Sequence, residues 1–251
     1  MIELERVSKS FATPVGLIAA LHEISLNVAA GEFLAVIGPS GCGKSTLLRL
    51  IADLEQPDSG TLRVCGKTPR QARHDHDYGM VFQAPVLYAW RSARQNVELP
   101  LEVVGWTAAT RHARADQLLQ LVGLSEFADA YPPQLSGGMQ QRVALARALA
   151  FAPPVLLMDE PFGALDELTR ERMQLELLNI CTNSPRPPGV IFVTHSIAEA
   201  VFLADRIALM SPRPGQVELL LTIDLPRPRS AATRSDPRFF ALTNQVRAGL
   251  R

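Results

Sequence analysis

Apolar and charged residues alternate from Ile2 to Val7, and Ile24, Leu26 and Val28 repeat the same period of two, which predicts half-buried strands near the N-terminus. The pattern changes at Phe33-Leu34-Ala35-Val36-Ile37, a continuous apolar run that ends in Gly38 and reads as a strand buried on both faces. Similar runs recur at Val155–Met158, Val190–Val193 and Ile207–Met210. Between them lie helical stretches, including Glu167–Ile180 and a segment opened by Ser196 with Glu199 three residues on, the spacing of a capping box. Strands alternating with helices predict an α/β fold with a mainly parallel core sheet, to which the first strands add an antiparallel β part.

The middle of the chain breaks this rhythm. Ser92–Val103, Thr110–Val122 closed by Gly123, and Gly137–Phe151 read as helices without intervening strands, so residues 84–153 form a helical insertion. The α/β core is then built from residues 1–83 and 154–225. After Met210 comes SPRPG, an alternating strand from Val217 to Ile223, and a Pro/Arg-rich tail over 226–251. That tail carries six Arg against one acid, Asp236, and reads as a solvated domain edge or a face for anionic lipid headgroups.

Composition narrows the function classes. Basic and acidic residues balance at 25 each, which argues against a chain that coats nucleic acid through bulk electrostatics. Only Lys9, Lys44 and Lys67 are lysines; the other basic residues are Arg. Cys42, Cys65 and Cys181 form no disulfide framework and fit a reducing compartment. The opening MIELERV, with Glu3 and Glu5, lacks the positive start and apolar run of a signal peptide. The apolar stretch Ala148–Met158, interrupted by Pro153 and Pro154, is far shorter than the roughly 20 residues of a spanning helix.

The chemistry begins where the Phe33–Ile37 run ends. GPSGCGKS places Gly38, four residues, then Gly43-Lys44-Ser45 directly before a helical LLRLIADL. Glycines let the backbone wrap an anion with its amides inward, and the helix turns its positive N-terminus to the same place. Gly38, Pro39, Ser40, Gly41, Cys42, Gly43, Lys44, Ser45 and Thr46 are therefore the candidate contacts to a nucleotide such as ATP, with Lys44 reaching the β and γ phosphates and the Ser45 hydroxyl on Mg²⁺. A second signal is Asp159-Glu160, at the carboxyl end of the buried Val155–Met158 strand, where open α/β sheets bind ligands. Asp159 suits the metal and Glu160 the proton of an attacking water.

At Leu135-Ser136-Gly137-Gly138-Met139-Gln140-Gln141-Arg142 a further motif appears, and the order of parts resembles the ATP-binding subunits of ABC transporters, a branch of the P-loop NTPases. GPSGCGKST is similar to Walker A, VLLMDE to Walker B, and LSGGMQQR to the ABC signature. Gln83 in VFQ resembles the Q-loop, Ala164-Leu165-Asp166 the D-loop and His195 in VTH the switch histidine, while Phe11 falls where the family stacks an aromatic on adenine. The resemblance implies an ATPase in which Glu160 activates water, Lys44 and His195 hold the γ-phosphate, and Gln83 contacts the metal and reports to the membrane. It also implies a head-to-tail dimer in which Ser136, Gly137, Gly138 and Asp166 of one copy complete the site of the other. Ser136-Gly137-Gly138 before a helix form an anion site in their own right. Met139 stands where the commoner form has Gln, and Asp53 where the family usually has Gly.

The tail pattern EAVFLADRIALMSPRPG followed by LPRPR is similar to the nitrate, sulfonate, taurine and pyrimidine-precursor importer subgroup. That likeness implies a peripheral subunit at the cytoplasmic face of the inner membrane, served by permease subunits and indirectly by a solute-binding protein. Leu87, Tyr88 and Trp90, close together after Gln83, are the candidate permease contacts. The alternative is a soluble ABC protein acting on nucleic acid or the ribosome, with the basic tail as its one favourable feature. His74-Asp75-His76-Asp77 reads as a solvated loop rather than a metal site.

Overall fold

The computed structural model describes residues 1–14 and 16–250, with the Asn183 side chain left undescribed. Arg251, the last residue of the basic tail, lies outside them. The chain opens with the hairpin β1 (Ile2–Thr13) and β2 (Gly16–Val28), which β4 (Ser59–Val64) extends into an antiparallel sheet ordered β2-β1-β4. The alternation that predicted β1 stops at Val7, although the strand continues, because irregularities between Leu4 and Ser10 shift its pairing with β2. A bulge of this kind moves side chains off the strict period of two.

The central sheet contains β3 (Phe33–Ile37), β5 (Tyr78–Val81), β6 (Val155–Asp159), β7 (Gly189–Val193), β8 (Arg206–Met210) and β9 (Val217–Thr222) in the order β5-β6-β7-β3-β8-β9. Five strands are parallel, and β9 closes one edge antiparallel to β8. The apolar runs are buried along their whole length because each face meets its own core. Phe33, Ala35 and Ile37 of β3 join the core on one face, whereas Leu34 and Val36 join the other, as strand geometry requires.

Helices α1 (Lys44–Ile51) and α2 (Pro69–His74) lie towards the N-terminal sheet. The insertion contributes α3 (Ala93–Val103), α4 (Ala108–Leu121) and α5 (Gly137–Ala148). Returning to the core, the chain adds α6 (Glu167–Asn183) and α7 (Ile197–Leu203), and it ends in α8 (Pro237–Gly249). The helix expected over Gly137–Phe151 stops at Ala148, because Ala152 adopts a left-handed φ of 49° and Pro153 and Pro154 follow. The capping box expected at Ser196 forms only half. The Ser196 Oγ accepts from the Glu199 amide at 3.3 Å, but the Glu199 carboxylate turns to Thr194 and Gln174. Asp53 follows the C-terminus of α1 at φ 53°, a conformation that favours glycine, and Arg73 and Gln56 hold its carboxylate at 3.0 and 2.5 Å.

Arginines close several helices from a distance in sequence. Arg142 donates to the Val122 carbonyl at 2.9 Å at the end of α4, and Arg114 donates to Leu149 and Ala150 at 3.1 and 3.2 Å beyond α5. The segment read as a basic tail folds back in the same way. Its Arg229 is buried and donates to the Phe202 and Ala204 carbonyls at 2.9 and 2.8 Å, at the end of α7. Arg227 pairs with Asp205, and Phe239 and Val246 of α8 are buried against the main core. An Arg229→Ala chain should lose about 2–4 kcal/mol of stability, because the truncation strands buried carbonyls without a donor. The urea midpoint measures this, and an unchanged midpoint contradicts the capping role.

Candidate nucleotide site

The site grows from the sharp end of β3. Gly38 leaves the strand where an added Cβ would lie 2.9 Å from the Met210 carbonyl and the Cys42 sulfur. Gly43, at φ 108°, caps α1 where a Cβ would meet Leu21 at 2.6 Å and the Ala20 carbonyl at 2.8 Å. No side chain caps α1, so the amides of its first turn are left for an anion. The Lys44 Nζ donates to the Gly38 and Pro39 carbonyls, both at 2.8 Å, and Cys42 is buried beneath it with Sγ at 3.8 Å.

Above the loop lies a cleft of about 350 Å³. Phe11, Thr13, Ile18 and Ala20 of the β1–β2 hairpin form one wall, and Ser40, Gly41 and Gly43 to Thr46 form the floor. Gln83, Glu160 and Arg213 stand at the rim. The Lys9 ammonium sits 5.3 Å over the Phe11 ring, which leaves that aromatic with a cation on its face.

Three parallel strands deliver the rim chemistry to one edge of the sheet. Asp159 ends β6, and burial pushes its carboxyl above the usual range, opposed by the adjoining Ser45 and reinforced by the charge of Glu160. Glu160 follows at a left-handed φ of 47°, with its amide on the Val193 carbonyl at 3.0 Å. Its Oε2 lies 3.2 Å from the His195 Nδ1, just past β7, and 3.5 Å from the Gln83 Nε2, just past β5. A water approaching this edge would meet an acceptor, a titratable ring and an amide together.

The signature residues lie elsewhere. Ser136, Gly137, Gly138 and Asp166 do not line the cleft. Ser136 caps α5 by accepting from the Met139 amide at 3.3 Å, so the helix begins at Gly137 and the two glycines form its first turn. A Cβ on Gly138 would lie 3.2 Å from the Ala164 carbonyl and from the Leu165 side chain, whereas the side of Gly137 that would carry a Cβ is open. Asp166 caps α6, and the Thr169 hydrogen bonds hold its carboxyl below the usual range. Met139 is half-buried against the main core. Lys67 bridges Asp75 and Asp77 at 2.7 and 2.6 Å, which accounts for the acids of the His74–Asp77 stretch.

Arg213, in the SPRPG turn, is a rim residue that sequence reasoning missed. Its Nε and Nη2 donate to the Gly41 carbonyl at 3.2 and 3.0 Å, and Gly215 brings the turn so close that an added Cβ would lie 2.0 Å from the Cys42 carbonyl. A lone Arg between prolines after a buried strand was the only available signal. Thr13, Ile18 and Ala20 carried none. Two side chains of α5 also hold the segment after β5: Gln141 donates to the Phe82 carbonyl at 3.2 Å, and Arg147 to Pro85 and Val86 at 3.0 and 2.9 Å.

Residues 21–163 match the family model described as ABC transporter. The nitrate import ATP-binding protein NrtD of Synechocystis is 43% identical over 256 residues, covering 100% of this chain and 95% of that protein. The taurine import ATP-binding protein TauB of Pseudomonas aeruginosa is 45% identical over 240 residues, covering 94% and 90%. Among solved structures, the dimeric MJ0796, a bacterial ABC transporter cassette, superposes with a TM-score of 0.83 at 37% identity, covering 90% of this chain and 100% of that one. A second structure of that cassette, a dimeric post-hydrolysis state bound to ADP and Pi, gives 0.82 at 36% identity. Loop, acidic strand end, signature helix and overall superposition agree: the chain belongs to the ABC transporter family, as one of its ATP-binding cassettes.

Proposed function

We propose that this cassette hydrolyses ATP to drive an importer of a small anionic or amino-sulfonate solute, of the nitrate and taurine kind. The convergence of Glu160, His195 and Gln83 on one rim of a phosphate-loop cleft carries the enzymatic part. The similarity to NrtD and TauB over nearly the whole chain supports the importer class and its solutes.

ATP would lay its adenine against Phe11 and its phosphates on the amides of Ser40 to Thr46, where the open first turn of α1 attracts negative charge. Lys44 would exchange the Gly38 and Pro39 carbonyls for the β and γ phosphates, a stronger charge-assisted pairing. Glu160 takes the proton of the attacking water, and His195 donates to the γ-phosphate. Gln83 positions the water and senses the phosphate. The donor set also fits a hard divalent cation, since Ser45 and Gln83 offer oxygens in the cleft and the Asp159 carboxylate, buried beside Ser45, adds a charged one. Mg²⁺ held there would neutralise charge on the β and γ phosphates.

Ser136, Gly137, Gly138 and Asp166 serve a second copy. They stand outside their own cleft, Gly137 offers an open face, and the similar MJ0796 cassette is a dimer. A two-fold head-to-tail pair brings each signature over the partner's phosphates. For the membrane side, Val86, Tyr88 and Trp90 offer a docking surface for a permease. Trp90 is 72% exposed and meets Tyr88 edge-on at 5.0 Å, whereas Leu87 turns into the core. No helix among the described residues is long and apolar enough to cross a membrane. The cassette would sit at the cytoplasmic face of the membrane, docked on permease subunits that carry the solute path. A separate solute-binding protein selects the cargo. The engagement of Arg227 and Arg229 by Asp205 and α7 weakens the nucleic-acid alternative, which rested on a free basic tail.

Three outcomes test this reading. Recovery of the chain from membranes with a permease supports the importer, and recovery with ribosomes or DNA refutes it. Glu160→Gln should bind ATP and form a stable dimer while turnover falls by about 10²–10⁴, the usual contribution of a general base; near-normal turnover removes Glu160 from the chemistry. Arg213→Ala should raise the KM for ATP about three- to tenfold at unchanged kcat, as loss of an exposed charge-assisted hydrogen bond predicts, in a steady-state phosphate-release assay.

A further inference from the structure

Behind the rim lies a buried carboxylate that the chemistry above does not use. Glu199 on α7 is 8% exposed. Its Oε2 accepts from the Thr194 hydroxyl at 2.5 Å, and its Oε1 accepts from the Gln174 Nε2 at 3.1 Å and faces the Arg170 Nε at 3.7 Å. All three partners are donors. An ionised carboxylate, which only accepts, is the side chain that satisfies them together. A glutamine there would turn N–H groups towards at least one donor, and Gln174 has little freedom to compensate, since its own Oε1 is taken by the Arg234 guanidinium.

The partners of Glu199 lead to the rim by two routes. Thr194 is 2% exposed, and its hydroxyl also accepts from the Ser196 amide at 3.0 Å, so one oxygen braces the backbone on both sides of His195. Arg170 donates through Nη2 to the Leu165 carbonyl at 2.8 Å and through Nε to Phe162 at 3.4 Å, which holds the loop that follows Glu160. Between the routes lies a cavity of about 50 Å³ whose lining includes Glu160, His195, Ser196 and Glu199. The His195 ring itself is 72% exposed, so little packing fixes its direction. Its aim towards Glu160 depends on its backbone.

On the outer side, Gln174 is 1% exposed, and Arg234 supports it from the C-terminal segment. That arginine lies 3.9 Å over the Phe202 ring and pairs with Glu171 at 3.4 Å. The C-terminal segment thus reaches the histidine through Arg234, Gln174, Glu199 and Thr194.

We propose that Glu199 and Thr194 are positioning residues for ATP hydrolysis, holding the His195 backbone so that its ring meets Glu160 and the phosphate at the cleft rim. The proposal rests on the reading of Glu160 and His195 as the groups that act on the γ-phosphate.

The test compares Thr194→Val, Thr194→Ser, Glu199→Gln and Glu160→Gln in the full chain, with steady-state ATPase kinetics and thermal melting for each. Thr194→Val should lower kcat about ten- to a hundredfold, the scale of a displacement near 1 Å at a reacting centre, with the KM for ATP changed less than about twofold because the phosphate loop is untouched. Thr194→Ser keeps the hydroxyl and should restore kcat, and Glu199→Gln should resemble Thr194→Val. A lower melting temperature with wild-type kcat in Thr194→Val makes the network a structural brace and overturns the proposal. Loss of turnover in Glu160→Gln beside that result leaves the catalytic assignment standing and removes only the positioning role. Normal turnover in Glu160→Gln overturns both.

Discussion

The site depends on parallel strands ending together. Register pairs Val81 with Met158 and Asp159 with Val193, so β5, β6 and β7 run out at one edge of the sheet. Whatever follows those residues is delivered to the same place. Glu160 is the first residue past that edge on β6, Gln83 and His195 are the second past β5 and β7, and the phosphate loop leaves β3 beside them. The arrangement needs Glu160 in a left-handed conformation that costs an ordinary residue about 1–2 kcal/mol. The hydrogen bond from its amide to Val193 and the buried strand behind it hold the residue there.

The arginines of this neutral chain have an internal use. Arg142, Arg114 and Arg229 cap the ends of α4, α5 and α7, and Arg147 and Arg213 hold the segment after Gln83 and the phosphate loop. In each case a guanidinium meets backbone carbonyls far away in sequence, many at the negative end of a helix. The fork geometry lets one side chain hold two or three carbonyls, which a lysine ammonium does less rigidly. Composition therefore reflects how the elements are tied together, and the basic tail is one of the ties.

Local features were legible in the sequence and distant ones were not. The loop Gly38–Thr46 and the pair Asp159-Glu160 each declare themselves within a few residues, because the strand before them and the helix or turn after them are local signals. The alternation of β1 faded at its bulges, and α5 fell short of Phe151 because a left-handed Ala152 and the proline pair outweigh helical periodicity. Glu199 illustrates the limit: its spacing from Ser196 reads as a capping box, whereas its carboxylate is committed to Thr194 and to Gln174, 25 residues upstream. Arg213 contacts Gly41 across 172 residues, a pairing that no local pattern announces. Asp53, which stands where the family usually has Gly, pairs with Arg73, 20 residues on, a contact that lies outside any local pattern.

In the proposed reading, the phosphates of ATP would lie between the loop of one chain and the signature helix of another, with Glu160 and His195 at the reacting edge. A structure of the Glu160→Gln chain with Mg²⁺ and ATP tests this most directly. It should show two chains related by a two-fold axis, each γ-phosphate touching Lys44 and His195 of one copy and Ser136 and Gly138 of the other. A single chain whose nucleotide is complete without a partner, or a pair that leaves Ser136 facing solvent, would contradict it.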